Sequence, residues 1–182
     1  MDNLKQKYIK EVIPKMVERF GYRNKLAVPK IMKAIVNVGI GSSVLKDNKV
    51  QELISRDLAL ITGQKPAPTQ AKKAISGFKT RKGMVVGLKV TLRGERMFDF
   101  LSRLINIAIP RTRDFQGLSS KSIDQNGNLN IGIREHIIFP EISQEDLKRI
   151  FGLEVTIVSS AKSGKEAMEL FKLMGFPIKG EK

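Results

Sequence analysis

The sequence predicts an α+β fold of two layers, an antiparallel sheet with helices on one face. Three observations carry this reading. Segments 34–41, 85–93, 128–134 and 153–158 alternate between apolar and polar residues with the period of two that a strand requires. Their polar faces hold mainly Asn, Gly, Thr, Lys or Arg, as in a sheet covered on one side and wet on the other. Amphipathic helical stripes lie irregularly between these strands, which is the α+β arrangement.

In chain order, Leu4, Tyr8 and Val12 recur at helical spacing, and Pro14 is expected to kink or split that helix before Gly21 caps it. The first strand sets Ala34, Val36, Val38 and Ile40 against Ile35, Asn37, Gly39 and Gly41. Asn48 is placed to cap a helix carrying Val50, Leu53, Ile54, Leu58 and Ile61, which ends near Gly63. Pro66 and Pro68 allow at most a short edge strand there. The next strand sets Val86, Leu88, Val90 and Leu92 against Gly87, Lys89, Thr91 and Arg93. Gly94 opens a helix with the stripe Met97, Leu101, Leu104, Ile105 and Ala108, and Pro110 stops it. Residues 111–128 read as a polar loop, with Gly117 and the Asn126-Gly127 pair as turn signals. Leu129, Ile131 and Ile133 mark the third clear strand, and Leu153, Val155 and Ile157 the fourth. Ser163-Gly164-Lys165-Glu166 is a capping-box pattern for a last helix that buries Ala167, Leu170, Phe171 and Met174 and ends at Gly175. Gly39, Gly41, Gly87 and Gly132 share the polar side of the sheet, which suggests a surface kept low so that something large can lie on it.

The chain of 182 residues is expected to form a single domain over 1–182 with two functional loops, basic at 69–83 and polar at 111–128. With no cysteine there is no disulfide scaffold, no cysteine-ligated zinc and no thiol chemistry. The only histidine, His136, cannot share a metal with a second one. No apolar run approaches the ~20 residues of a membrane span, and the start Met1-Asp2-Asn3-Leu4-Lys5 has no apolar region, so neither an anchor nor a secretory leader is expected.

The formal net charge is +15, which favours polyanionic partners, nucleic acid foremost. The charge is concentrated. Between Asp57 and Glu95 there is no acidic residue, while Lys65, Lys72, Lys73, Lys79, Arg81, Lys82, Lys89 and Arg93 all fall in that window. Within it, residues 69–83 combine five basic residues, two glycines and Phe78. They cannot bury an apolar face and read as a long exposed loop whose cations neutralise phosphates, with Phe78 free to stack on a base or anchor the loop.

Other constellations fail on inspection. Gly39-Ile40-Gly41 would need glycine at Val44 to make a dinucleotide loop. Ser163-Gly164-Lys165 lacks the glycine and the hydroxyl of a phosphate loop, since Ser159 and Glu166 occupy those places. Glu135 and His136 point to opposite faces if extended, and no nucleophile–base pair can be assembled. No catalytic residue, metal site or cofactor is expected.

Six blocks nevertheless stand in a recognisable order. They are Lys33-Ala34-Ile35-Val36-Asn37-Val38-Gly39-Ile40-Gly41, Thr62-Gly63-Gln64-Lys65-Pro66, Gly77-Phe78-Lys79-Thr80-Arg81-Lys82-Gly83, Lys89-Val90-Thr91-Leu92-Arg93-Gly94-Glu95-Arg96, Pro110-Arg111-Thr112-Arg113-Asp114-Phe115-Gln116-Gly117 and Ile137-Ile138-Phe139-Pro140-Glu141-Ile142. Together they resemble the bacterial large-subunit ribosomal protein five family, which binds 5S ribosomal RNA, and the resemblance covers essentially the whole chain. It departs at Asp124-Gln125-Asn126-Gly127-Asn128-Leu129, where the family commonly has Asp-Gly-Arg-Gly-Asn-Tyr, and at His136, where it commonly has Gln.

The resemblance implies a ferredoxin-like (RNA-recognition-like) sheet and a non-enzymatic role in the central protuberance of cytoplasmic ribosomes. The implied partners are 5S rRNA, 23S rRNA, P-site tRNA, small-subunit protein thirteen and other central-protuberance proteins, with no membrane. By motif position it implies Asn37, Gly39, Gln64, Lys65, Lys89, Thr91 and Arg93 for 5S rRNA. It implies Lys72, Lys73, Phe78, Lys79, Thr80, Arg81 and Lys82 for tRNA. The region 111–146, with Arg111, Arg113 and Arg134, is implied for the intersubunit bridge. The reading from another class is an RNA chaperone or architectural nucleic-acid-binding protein outside the ribosome.

Overall fold

The computed structural model describes residues 4–40, 48–78, 80–113, 115–142 and 149–179. Gly41, Val44, Lys79, Asp114 and the 143–146 end of the expected bridge region lie outside the described residues, as do the side chains of Asn48 and Phe78. The fold is α+β, a five-stranded antiparallel sheet with four helices. The strands are β1 (Ile31–Gly39), β2 (Ala67–Gln70), β3 (Val85–Leu92), β4 (Leu129–Ile133) and β5 (Leu153–Ser159), in the order β2-β3-β1-β5-β4. The helices are α1 (4–20), α2 (Asn48–Thr62), α3 (94–108) and α4 (Gly164–Met174). Among the described residues no helix is long and apolar enough to cross a membrane.

The residues group into two compact units that divide the strands between them. The first comprises Met1–Ala34, Leu92–Ile131 and Thr156–Lys182, and the second Ile35–Thr91 and Gly132–Val155.

In the first unit, α1 is not broken by Pro14. It runs as an α-turn (Leu4–Lys7), a π-helical turn (Tyr8–Val12) and an α-helix (Ile13–Phe20) that carries Pro14 in its first turn. Proline lacks the N–H and crowds the carbonyl four residues back. Widening the preceding turn, with the Ile13 N–H reaching Tyr8 O, accommodates it in a helix that continues without a break. The same solution recurs in α3, whose α-helical part Gly94–Arg103 passes into a π-turn at Leu104–Ala108 just before Pro110. Gly94 begins α3 at φ +59°, and Gly21 ends α1 at φ +68°, both in the left-handed region where glycine carries no Cβ penalty. The α4 cap forms as expected: Ser163 Oγ accepts from the Glu166 N–H at 3.3 Å, and Glu166 Oε2 accepts from the Lys162 N–H at 3.0 Å. Helices α3 and α4 each pack on α1 in this unit, where Val12, Met16, Met97, Leu101, Leu170 and Phe171 are all at most 2% exposed.

The polar loop at 111–128 is more ordered than its composition suggests. Leu118 exchanges hydrogen bonds with the chain end, accepting from the Lys179 N–H and donating to Pro177 O. Asp124 closes the turn before β4. One carboxylate oxygen accepts from the N–H groups of Asn126 (2.9 Å) and Asn128 (2.8 Å), and the other from Asn128 Nδ2 (2.9 Å). Burial pushes the Asp124 pKa up, but these donors outweigh it and hold the carboxyl below its ordinary value. Ser159 then donates to Gly127 O at 2.6 Å, fastening the turn to β5.

In the second unit the alternation read for β1 holds over 36–39, and that of β3 holds over 88–90 but not at Val86, which is half-buried, or Gly87, which is buried. Val36, Val38, Leu88 and Val90 are buried, while Asn37, Gly39 and Lys89 are exposed. His136 lies just past β4 at the head of a 3₁₀ turn (His136–Ile138) and is fully buried, while Glu135 is exposed. Its ring stacks on Phe151 with centroids 3.8 Å apart. Its Nδ1 accepts from the Phe151 N–H at 3.4 Å, which leaves Nε2 as the protonated nitrogen, 3.7 Å from Asp57 Oδ2. Burial lowers the histidine pKa and the Asp57 carboxylate opposes that only in part, so the neutral ring is the folded form.

These hydrogen bonds make two expectations measurable. Asp124→Ala leaves the two backbone N–H groups without their acceptor and is expected to cost about 1–3 kcal/mol in urea unfolding. Because the His136 pKa is lower folded than unfolded, the unfolded chain binds the extra proton first. Its contribution is therefore intact above the ordinary histidine value near 6.5 and is lost as pH falls through the folded value. Thermal melts at pH 7.5 and 5.5 are expected to show a drop in Tm that is smaller in His136→Gln.

Candidate nucleic-acid interface

Two surfaces in the second unit collect most of the implied RNA-contacting residues. The first is the polar side of β1 and β3. Period-two alternation turns Asn37, Gly39 and Lys89 out to solvent and leaves Thr91 half-buried among them. Gln64 reaches this surface from the end of α2. Thr62 Oγ1 donates to Leu58 O at 2.7 Å and to Gln64 O at 3.1 Å, and Gly63 sits at φ +68°, so the chain turns sharply and brings Gln64 back against β3. The Gln64 amide donates one N–H to Thr91 O at 3.4 Å, which orients the side chain and leaves its second N–H and its carbonyl oxygen for a ligand. Lys65 is exposed beside it.

Gly87 corrects one part of the sequence reading. It is buried, and a Cβ there would lie 2.7 Å from Thr69 Oγ1 and 3.0 Å from the Val38 carbonyl oxygen. Its smallness therefore serves the close approach of β2 and β1 and is not part of an open platform. Gly39 and Gly132 are exposed, and a Cβ on either would meet nothing within 4 Å.

Lys65 also lines an open cleft of about 420 Å³ between α2 and the β2 edge, with Gln51, Arg56, Pro66, Pro68 and Leu88. Arg56 was not singled out from the sequence. It is exposed and lines the same cleft as Lys65, together with the acidic Glu52, and the signal that could have found it is its place on the polar stripe of α2, opposite Ile54, Leu58 and Ile61.

The second surface is the 69–83 segment, which folds as the extended end of a hairpin. Strand β2 pairs antiparallel with β3 through Ala67↔Lys89, Pro68↔Leu88 and Thr69↔Gly87. Beyond the strand ends the Ala71 N–H donates to Met84 O, and the Gly83 N–H to Ala71 O. Further out, Ile75 and Thr80 exchange N–H···O bonds of 3.1 and 3.2 Å around the 3₁₀ turn Ser76–Phe78. The Thr80 hydroxyl is turned back to Ile75 O at 3.4 Å. Lys72, Lys73, Arg81 and Lys82 are exposed, and so is Ile75 at 51%.

Arg93, Arg111 and Arg113 belong to the first unit and are exposed there; Arg93 is the N-cap residue of α3 and supplies no side-chain cap bond. On the same unit Thr156 Oγ1 donates to Asn130 Oδ1 at 2.7 Å, a polar pair between β5 and β4 that the sequence reading did not single out. Arg134, in the second unit, is exposed one residue past β4.

Among the described residues, none of these surfaces holds a buried carboxylate pair or a nucleophile beside a base. They offer exposed cations, amides and low backbone, which suit phosphate and ribose contacts.

Comparison with known proteins accords with this chemistry. Residues 24–81 match the family described as ribosomal protein L5, and residues 85–178 match the family described as the C-terminus of the same ribosomal protein. The chain is 51% identical to the large ribosomal subunit protein uL5 of Halothermothrix orenii, over 98% of this chain and 99% of that one. It is 52% identical to the uL5 of Dictyoglomus turgidum and 49% identical to that of Carboxydothermus hydrogenoformans, each over 98% of this chain and 99% of the relative. With both halves matched and such identity kept nearly end to end, the chain belongs to the ribosomal protein L5 (uL5) family, whose members are structural proteins and not enzymes.

Proposed function

We propose that the chain is a structural constituent of the large ribosomal subunit that binds 5S rRNA in the central protuberance, alongside 23S rRNA and neighbouring proteins. In this reading the polar side of β1 and β3, with Asn37, Gly39, Gln64, Lys65, Lys89 and Thr91, contacts 5S rRNA, and Arg93 adds a cation at the start of α3. The 69–83 hairpin reaches P-site tRNA. The region 111–146, with Arg111 and Arg113, and Arg134 by itself, contacts small-subunit protein thirteen.

One observation carries the RNA reading. The acid-free stretch between Asp57 and Glu95 folds so that Lys65, Lys72, Lys73, Arg81, Lys82, Lys89 and Arg93 are all exposed, and none makes an ion pair with a described residue. Solvated cations with no intramolecular partner are free to displace counterions from a phosphate backbone. The strand order β2-β3-β1-β5, with α2 between β1 and β2 in sequence and α3 between β3 and β4, supports a ferredoxin-like core to which β4 adds an edge.

Lys89→Ala and Arg93→Ala are each expected to weaken binding to isolated 5S rRNA by about 1–3 kcal/mol with the fold intact. Unchanged affinity in both variants, measured by filter binding, would count against the sheet surface.

Deleting 73–80 is expected to leave 5S rRNA affinity nearly unchanged, because the Ala71–Met84 and Gly83–Ala71 bonds can still close a shorter hairpin. The same deletion weakens tRNA retention in the P site, and it lowers the log–log salt dependence of that retention by roughly 0.7–0.9 for each phosphate left without its cation. A large loss of 5S rRNA affinity would assign the hairpin to the other RNA.

A further inference from the structure

A second surface, on the first unit, has a different chemistry. Tyr8 and Ile9 of α1, Ile31 and Met32 of β1, and Met97 and Phe98 of α3 line an open cleft of about 370 Å³. Its lining is apolar, yet Ile9 is 56% exposed and Met32 44%. Lys5 and Lys30 stand on its rim. Lys5 is held by Glu95 at 3.5 Å, whereas the Lys30 ammonium makes no ion pair with a described residue.

We propose that this cleft docks a segment of a neighbouring protein in which an apolar side chain lies close to a carboxylate. The apolar side chain fills the space between Ile9, Met32 and Phe98, and the carboxylate meets Lys30.

Three observations favour a protein segment over a nucleotide. The Tyr8 hydroxyl already donates its one proton to Pro29 O at 3.1 Å, so it has no donor left for the acceptors of a base. A base entering there would lose hydrogen bonds to water, whereas an aliphatic side chain has none to lose. Met32 and Met97, both lining the cleft, are side chains that repack around an apolar guest without strain. The charge on the rim is complementary to an acidic partner, and an apolar patch with a polar rim is the signature of a protein contact.

The inference rests on the proposed place of the chain in the large subunit, and the test separates the two. Large subunits are assembled with p-benzoylphenylalanine in place of Ile9, purified, irradiated and digested, and the cross-linked product is identified by mass spectrometry. Failure of the substituted chain and of the unsubstituted chain alike to enter the subunit overturns the placement. Entry followed by a cross-link to a protein peptide with Asp or Glu within four residues of the attachment point supports the docking site, provided Lys30→Glu lowers the yield about two- to fivefold. A cross-link to RNA, a cross-link to a peptide without an acidic residue, a yield indifferent to Lys30→Glu, or no cross-link at all overturns it. Met32→p-benzoylphenylalanine, read in the same way, serves where the Ile9 variant fails to fold.

Discussion

The two-faced strand is the constraint on which the rest of the molecule depends. Each of β1, β3, β4 and β5 commits alternate side chains to the core: Val36 and Val38, Leu88 and Val90, Leu129 and Ile131, Val155 and Ile157, all at most 4% exposed. Burying a side chain of this size is worth roughly 1.5–3 kcal/mol, and a slip of one residue in register would turn the whole set out to water. Register is therefore pinned by the apolar face. The other face is then free to carry residues chosen for something besides stability, and it carries Asn37, Gly39, Lys89 and Thr91. The proposed interface would then be a by-product of the same alternation that makes the core.

That coupling explains why so much was legible in the sequence. The strands, the left-handed glycine caps at Gly21, Gly63 and Gly175, and the capping box at Ser163 are all local signals, and all are realised. Two local signals were answered in a different way. Pro14 rules out an ordinary α-turn before it, but it does not dictate whether the helix breaks or widens, and it widens into a π-turn; Pro110 stops α3 as expected, after a π-turn of its own. Gly87 announces a close approach without saying of what, and only the register of β2 on β3 shows that the approaching atom is Thr69 Oγ1.

Long-range pairings were not legible. Nothing in the spacing of Asp57, His136 and Phe151 announces that they meet, because their juxtaposition depends on how α2 and the segment after β4 fold together. The same holds for Asp124, whose three accepted hydrogen bonds are local but whose turn is fastened by Ser159, more than thirty residues on. The polar loop at 111–128 accordingly looked looser than it is. Its order comes from partners at Pro177 and Lys179 that composition cannot reveal.

The basic hairpin poses a physical question of its own: how five cations within fifteen residues can be held with no acidic residue in the segment. Like charges that share a buried site repel strongly, but exposed cations separated by a few ångströms in water do so only weakly, and salt screens the remainder over roughly 8–10 Å. The hairpin meets that condition by making its structural bonds mainly from backbone, at Ala71, Ile75, Thr80, Gly83 and Met84, with only the uncharged side chains of Thr80 and Met84 adding to them, and by leaving the charged heads of Lys72, Lys73, Arg81 and Lys82 in solvent. None of these four makes an ion pair with a described residue, so none need break such a pair before it meets a phosphate. Acidic residues interspersed along the segment would have relieved the repulsion and given the cations intramolecular partners. Their absence keeps the full field directed outward, which is the arrangement a polyanion-binding arm requires.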